Sequence, residues 1–330
     1  MLRTVVGGSA RAPTPASTTA NGRSIFDRLG PALLRVYLGD PDALAPSPSV
    51  NATFGDLVSL LVSPGVDVDA VKQACLQLEA TPHLRRRARA VKRSAAIAET
   101  AMERAHARQL LELDPVDDGT PIDRLRSILR DYPYLGNYEQ LVGSEIEAIT
   151  PRRTPGPVAF CGAGPLPLTG VLWNLSTGES VTLVEKDERA AELARAVVDR
   201  LVALGITAPS GLRVVTADAA TVPVDGYRVI VVASLVPGPA MTDLAERLVA
   251  SADRPLLAVR SAVGLTARFA YDNVAVGAVT ALGLRHLGTI APAHTLAERP
   301  IEPCVAVGAG DPKLLEVAPA GVLNTTELFE

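Results

Sequence analysis

Short runs of apolar and β-branched residues alternate with longer, helix-like segments through the second half of the chain. We predict five strands from these runs, at residues 158–161, 181–184, 212–216, 229–233 and 256–259. Helix-like segments lie between them at 165–175, 188–204 and 240–250. Parallel strands need crossover connections of this length, usually helices. The alternation therefore predicts an α/β fold built on a parallel sheet.

Two further strand candidates, at 285–290 and 304–307, come last and have no helix-like segment between them. Strands joined without a crossover pair in the antiparallel sense, so we predict a hairpin at one edge of the sheet. The weakly patterned segment from Asp311 onward is assigned no element.

The first half of the chain has helical periodicity from Ile25 to about Glu147. Breaks rich in proline, glycine and polar residues divide it into four or five predicted helices; they fall at 41–48, 63–65, 81–82 and 114–121. A linker at 150–157 ends this half. We therefore predict three parts: a flexible tail at 1–22, an N-terminal all-helical cap domain at 23–150 and a sheet-containing domain at 151–330.

Composition argues against several classes of protein. The formal net charge of −4 gives no general attraction to nucleic acid or anionic lipid, and we interpret the basic run at 85–93 as a solvated helix face. No stretch reaches the length of a transmembrane helix without charge or proline. We therefore expect neither a nucleic-acid partner nor a membrane; a homodimer is left open as the assembly.

The cysteines and histidines suggest no metal or disulfide. Cys75, Cys161 and Cys304 are far apart with no C-x-x-C spacing, and the histidines lack ligand spacing. Residues 1–22 lack the continuous apolar stretch of a secretory signal. These features predict a cytoplasmic protein that requires no metal.

A glycine-containing loop follows the first predicted strand, with the sequence CGAGPLPL at 161–168. Its glycines permit a tight turn and a close approach of ligand to backbone, and Pro165 suits the first position of a helix. Pro167 stands where a dinucleotide fingerprint requires a small residue, which disfavours NAD. The alternative is an ordinary strand-to-helix turn without a ligand.

Acidic residues follow the second and third predicted strands. Glu185 is placed to accept both ribose hydroxyl hydrogens of a nucleoside. Asp218 is placed to accept from an adenine amino group, or to cap the next turn. A glycine turn followed by these two acids, with no phosphate-binding lysine, is typical of an S-adenosylmethionine site.

Several motifs resemble the nicotianamine synthase family. The loop CGAGPLPLT at 161–169 is similar to the family's glycine loop, and further similar segments follow the chain: SPSVNATF at 47–54, YPYLGNY at 132–138, ASLV at 233–236 and VRSA at 259–262. The resemblance spans about 46–264. It implies a Rossmann-like class I methyltransferase fold under a helical cap, and transfer of a 3-amino-3-carboxypropyl group from S-adenosylmethionine to an amine, with release of methylthioadenosine.

The resemblance also implies site residues. The family's catalytic glutamate falls in AETAME at 98–103, where Glu103 is the better fit and Glu99 the alternative, and its catalytic tyrosine matches Tyr138. The residues expected to bind S-adenosylmethionine are Cys161, Gly162, Ala163, Gly164, Pro165, Leu166, Glu185, Asp218, Ala219, Ala233, Ser234, Leu235, Tyr134 and Arg260.

The sequence departs from the family pattern near its end. SAVG at 261–264 replaces the family's SAHG, and the pattern expected near 291–304 is altered. Two outcomes stay open: attack by an external amine, as in the synthesis of nicotianamine-like metallophores, and cyclisation of S-adenosylmethionine to azetidine-2-carboxylate, as in a related group of synthases. Retention of Glu103 and Tyr138 favours an external amine. An ordinary methyltransferase and a non-catalytic S-adenosylmethionine-binding protein are further alternatives.

The expected chemistry assigns a role to each of these side chains. A nucleophilic amine must be neutral, so a carboxylate beside it, Glu103, is the expected base. Tyr138 can donate a hydrogen bond while its ring faces the sulfonium. Tyr132 and Tyr134 are interpreted either as further aromatic surface of the site or as an anchor between cap and sheet.

Overall fold

The structure, a computed structural model, describes residues 44, 46–47, 49–50, 80–114, 119–236, 238–262, 273–291 and 325–330. The predicted tail at 1–22, nearly all of 23–79 and the predicted strand at 304–307 lie outside the described residues. The division of the chain at residue 150 stays a prediction.

Three helices of the N-terminal half are described: α1 (Pro82–Glu112), α2 (Pro121–Ile128) and α3 (Leu135–Ile149), with a 3-10 turn at Thr150–Arg152. Prolines begin α1 and α2, where a missing amide hydrogen is tolerated, and Thr120 caps α2. The start of α1 at Pro82 agrees with the predicted break at 81–82, and the described residues between Glu112 and Pro121 are not helical, in agreement with the break predicted at 114–121. A further break, between α2 and α3, contains Pro133 and was not predicted. Among the described helices, none has both the length and the apolar composition of a membrane span.

Seven described strands form one sheet: β1 (Val158–Cys161), β2 (Val181–Glu185), β3 (Leu212–Thr216), β4 (Val229–Val232), β5 (Leu256–Ser261), β6 (His286–Ile290) and β7 (Thr325–Phe329). The associated helices are α4 (Leu168–Thr177), α5 (Glu188–Ala203), α6 (Gly238–Ala250) and α7 (Val276–Ala281). The strand order is β3-β2-β1-β4-β5-β7-β6, and β1 to β5 are parallel. The predicted parallel sheet is confirmed.

The last strand enters the sheet between two earlier ones. β7 pairs antiparallel with both β5 and β6. The antiparallel direction predicted for β6 is therefore confirmed, but the partner seen is Thr325–Phe329, from the segment that was assigned no element. Its sequence, TTELF, is half polar and gave no sign of burial. Glu327 is nevertheless buried, and its carboxylate accepts a hydrogen bond from Thr289 at 2.8 Å and lies 2.8 Å from His286 Nε2.

Apolar side chains cover both faces of the sheet. On one face, α1 to α5 pack around residues that include Leu110, Leu125 and Trp173. On the other face, Leu244 of α6 and Phe329 of β7 belong to a second cluster. Trp173 is buried in the first of these clusters and its indole donates to Glu179 at 3.0 Å, while the Asn174 amide donates to the Glu179 carbonyl at 2.8 Å. The cap helices are thus continuous with the sheet through one core.

Candidate active site

A cavity of about 340 Å³ lies where α1 and α3 meet the carboxyl ends of the parallel strands. This edge is where ligands bind in open parallel sheets. All but one of the residues predicted for the site line it: Glu99, Glu103, Tyr134, Tyr138, Gly162, Ala163, Gly164, Pro165, Leu166, Glu185, Asp218, Ala219, Ala233, Ser234, Leu235 and Arg260. The volume falls within the range of small-molecule sites.

Cys161 is the predicted site residue that does not line the cavity. Its side chain is buried in the core on the opposite face from Phe160, because successive residues of a strand point to opposite faces. Burial raises the pKa of the Cys161 thiol to about 12. The side chain therefore faces away from the cavity, while the carbonyl of Cys161 accepts from the amide of Ala233 at 2.9 Å. The predicted part of Cys161 in binding the ligand stays a prediction.

The glycine loop is held by hydrogen bonds to β2 and the residue at its end. The amides of Gly162 and Ala163 donate to the carbonyl of Val184 at 2.8 and 3.1 Å, and the amide of Gly164 donates to Glu185 Oε2 at 2.8 Å. Gly162 and Gly164 have φ of 83° and 66°, which favours glycine. The loop is thus preformed, and its amides are directed to the protein.

The helix after the loop begins later than predicted. Pro165 was expected at its first position, but α4 begins at Leu168. Leu166 precedes Pro167, and a residue before proline is disfavoured in helical conformation. The helix begins just after the second proline, and Pro165 and Leu166 form part of the cavity wall instead.

Glu185 and Asp218 both line the cavity and both hold local backbone. Glu185 Oε1 accepts from the amide of Asp187 at 2.9 Å, which leaves each carboxylate oxygen with a further lone pair. Asp218 Oδ1 accepts from the amide of Ala220 at 2.9 Å, which is the turn-capping role weighed for it. Their predicted contacts with ribose and adenine stay predictions.

Glu103 of α1 lies between the glycine loop and Tyr138 of α3. Its Oε1 accepts a hydrogen bond from the Tyr138 hydroxyl at 3.4 Å, and a Cβ placed on Gly164 would lie 2.7 Å from its Oε2. Burial, and then the neighbouring charge of Glu99, raises the pKa of Glu103 well above its usual value. A carboxyl with such a pKa is suited to accept a proton.

Aromatic rings pack behind the carboxylate. The Tyr138 ring stacks on Tyr132 with centroids 6.4 Å apart, and Tyr132 meets His106 edge-on at 4.9 Å. Tyr132 is buried and does not line the cavity, which supports its interpretation as an anchor; Tyr134 lines the cavity. Burial raises the pKa of the Tyr138 hydroxyl well above its usual value, so it remains a neutral donor.

A buried ion pair beside the cavity was not predicted. The guanidinium of Arg260 donates two hydrogen bonds to the carboxylate of Glu145, each 3.0 Å long. Glu145 shares the inward stripe of α3 with Leu141 and Ile149, at spacings of four residues. An acid on an apolar helical stripe was the available signal that a cation would be buried with it.

Other cavity residues also went unpredicted. Arg104 of α1 and Asp187 after β2 line the cavity, with Nη2 and Oδ1 3.8 Å apart. Asn137, next to the catalytic candidate Tyr138, lines it as well. In the part of the chain that the structure describes, no three His, Cys, Asp or Glu side chains are grouped to hold a metal ion.

Comparison with solved structures defines the class. A crystal structure of a glutamate-to-glutamine variant of MtNAS in complex with S-adenosylmethionine superposes with a TM-score of 0.66 at 20% identity, over 92% of this chain and 96% of that one. MtNAS in complex with MTA and tNA gives 0.63 at 20% identity. The shared architecture is a Rossmann-like class I methyltransferase fold with a helical cap, as predicted.

The sequence identifies the family. A family model described as nicotianamine synthase protein matches residues 36–298. Nicotianamine synthase 9 of Hordeum vulgare is 35% identical over 219 residues, which are 62% of this chain and 56% of that protein; nicotianamine synthase 2 of Oryza sativa subsp. indica is 32% identical over 133 residues, which are 39% and 36%. The alignments thus span about half or less of these relatives' length. The chain belongs to the nicotianamine synthase family.

Proposed function

We propose that this chain transfers the 3-amino-3-carboxypropyl group of S-adenosylmethionine to an amine and releases methylthioadenosine. One observation carries the proposal: the carboxylate of Glu103 lies in a single cavity with the Tyr138 hydroxyl, the glycine loop and Glu185. Family membership and the fold shared with MtNAS support it.

The side chains that line the cavity match the hydrogen-bonding groups and the positive charge of S-adenosylmethionine. Glu185 and Asp218 offer acceptor oxygens for a nucleoside, and the aromatic ring of Tyr138 together with Glu99 and Glu103 offers a surface that attracts a cation. The close approach of Gly164 to Glu103 brings the nucleoside end and the proton-accepting end within one small volume.

The reaction balances with one proton acceptor. The amine nitrogen forms a bond to Cγ, the bond from Cγ to sulfur breaks, and sulfur keeps the electron pair as a neutral thioether. Glu103 takes the proton that the amine must lose, and the Tyr138 hydroxyl fixes the orientation of that carboxylate. The positive sulfonium supplies the leaving group, and its charge favours the ionised form of nearby carboxylates.

Product analysis tests the proposal. Purified protein is incubated with S-adenosylmethionine, first alone and then with amino acids as acceptors, and the products are identified by mass spectrometry. We expect methylthioadenosine, and with a suitable acceptor an aminobutyryl adduct. If methylthioadenosine and azetidine-2-carboxylate form without an added acceptor, the reaction is cyclisation of S-adenosylmethionine and not transfer to an external amine. S-adenosylhomocysteine as the main nucleoside would refute both in favour of methyl transfer.

Replacing Glu185, the acid at the end of β2, tests the nucleoside site. We expect Glu185→Gln to weaken the binding of methylthioadenosine by about 1 to 3 kcal/mol, since the ribose loses a charged acceptor. Isothermal titration calorimetry measures this. Glu188→Gln is the control: Glu188 is exposed at the start of α5, three residues after Glu185, and this variant should bind methylthioadenosine normally. Unchanged affinity in Glu185→Gln would remove the ribose role.

A further inference from the structure

Four side chains from four elements meet in one buried network beside the cavity. Glu145 of α3 is 0% exposed and Arg260 of β5 is 4% exposed. Besides its two bonds to Glu145, the guanidinium donates to Thr169 Oγ1 of α4 at 2.9 Å. Thr326 of β7 donates to Glu145 Oε1 at 2.6 Å. The C-terminal strand is thereby joined to the wall of the active site.

The network fixes the orientation of one guanidinium. A bidentate carboxylate constrains both the position and the plane of an arginine fork. Glu145 provides that constraint, and the Thr169 bond adds a third contact on the remaining side. A guanidinium that is held in this way by a carboxylate of the same protein gives neighbouring side chains a fixed surface to pack against.

Two aromatic rings lie against that guanidinium. Its central carbon is 5.8 Å from the centroid of Tyr138 and 5.3 Å from that of Phe160. Cations within about 6 Å of a ring are attracted to its face. Tyr138 is the ring whose hydroxyl donates to Glu103, so contacts run without interruption from Glu145 to the proposed base.

We propose that Glu145 is a positioning residue for the reaction, which acts by holding Arg260 against Tyr138 and so keeps the Tyr138 hydroxyl on Glu103. This inference rests on the proposed function for its kinetic consequence. Thr326 extends the same role to the C-terminal strand, because its hydroxyl satisfies an oxygen of the Glu145 carboxylate.

The chain contains a matched control at a second buried ion pair. Arg153 donates to the two carboxylate oxygens of Glu179 at 2.7 and 2.6 Å, and its guanidinium carbon is 5.9 Å from the Trp173 ring. The Arg153 and Glu179 side chains are 6% and 10% exposed, against 4% and 0% for Arg260 and Glu145, and neither lines the cavity. Glu145→Gln and Glu179→Gln therefore impose a similar defect at two places.

The kinetic arm compares these two variants at a temperature where both are folded. We expect both to lose thermal stability, because each leaves a buried guanidinium without its counter-charge. Only Glu145→Gln should lower the kcat of methylthioadenosine release, by about 10- to 100-fold, with little change in KM for S-adenosylmethionine. Thr326→Val should lower kcat by a smaller factor. Thr326→Ser, which keeps the hydroxyl, should have near-normal kcat.

A second arm is independent of turnover. The protein is labelled with ¹³C in tyrosine rings, and the Tyr138 resonance is identified by its absence in Tyr138→Phe. We expect that resonance to shift in Glu145→Gln and in Thr326→Val, and to stay in place in Glu179→Gln. The Thr326 variants carry the test if Glu145→Gln does not fold.

The two arms separate two kinds of failure. A wild-type chain that releases no methylthioadenosine refutes the proposed function, while the Tyr138 resonance still decides the positioning. Unchanged kcat and an unchanged Tyr138 resonance in Glu145→Gln would overturn the inference. Equal changes in Glu179→Gln would overturn it too, because they would reduce the role of Glu145 to general stability.

Discussion

Glu103→Gln is expected to lower the turnover of S-adenosylmethionine by about two to four orders of magnitude, the usual contribution of a positioned base. Glutamine keeps the size of the side chain and an oxygen that can accept from Tyr138, but it cannot take a proton. Binding of methylthioadenosine should change little. Release of methylthioadenosine under saturating substrate measures the first quantity, and calorimetry the second.

The pH dependence separates loss of the base from loss of structure. Wild-type turnover should rise with pH through the raised pKa of Glu103, whereas turnover of Glu103→Gln should rise only at higher pH, where solution base deprotonates the amine. Glu112→Gln, exposed on the same helix, is the control. Near-normal turnover in Glu103→Gln together with a large loss in Glu99→Gln would move the base one turn along α1.

The same substitution should stabilise the folded chain at neutral pH. The pKa of Glu103 is raised by folding, so the folded state holds this proton at pH values where the unfolded chain has released it. The stability contributed by the protonated carboxyl is therefore lost as pH rises above the ordinary glutamate pKa. Glutamine carries no such cost. Thermal unfolding of the two proteins across pH should show a difference that grows with pH and then levels off.

Gly164→Ala is expected to abolish most activity, with a loss of about 100-fold or more, because a misplaced catalytic group is costly. The new Cβ would lie 2.7 Å from Glu103 Oε2, which is closer than real Cβ contacts allow, and it would occupy a residue with φ of 66°. The Glu103 carboxylate would have to shift away from the glycine loop, and so away from the position in which it is proposed to accept the proton. Steady-state release of methylthioadenosine measures the loss.

A second glycine distinguishes backbone strain from displacement of Glu103. Gly178 ends α4 with φ of 72°, but nothing lies within 4 Å of a Cβ placed there. Gly178→Ala should therefore lose about 1 kcal/mol of stability, as expected for alanine in a left-handed conformation, with normal turnover. Normal turnover in Gly164→Ala would show that the loop and Glu103 can separate without harm, and would count against a shared reaction volume.

Much of the fold and of the cavity wall was predictable because it depends on local sequence patterns. Central strands such as β1 and β4 are continuous apolar runs, since a parallel sheet is covered on both faces, and the helices between them have their own periodicity. The glycine loop and the acid at Glu185 follow strand ends, and parallel strands bring their carboxyl ends to one edge. Residues that come at the ends of successive strands are therefore close together in the structure.

The sequence by itself determined the five parallel strands, the crossover helices between them, and the glycine loop, Glu185 and Asp218 at one edge of the sheet. Only the tertiary structure decided how β7 enters that sheet and how the charges are paired. Glu145 and Arg260 are 115 residues apart, and Glu145 and Thr326 are 181 apart. Local periodicity places Glu145 on an inward helical stripe, but it does not say which distant residue pairs with it. A buried charge is stable only with its partners in place. Whether Glu145, Arg260 and the half-polar strand β7 are buried therefore depends on the assembled core.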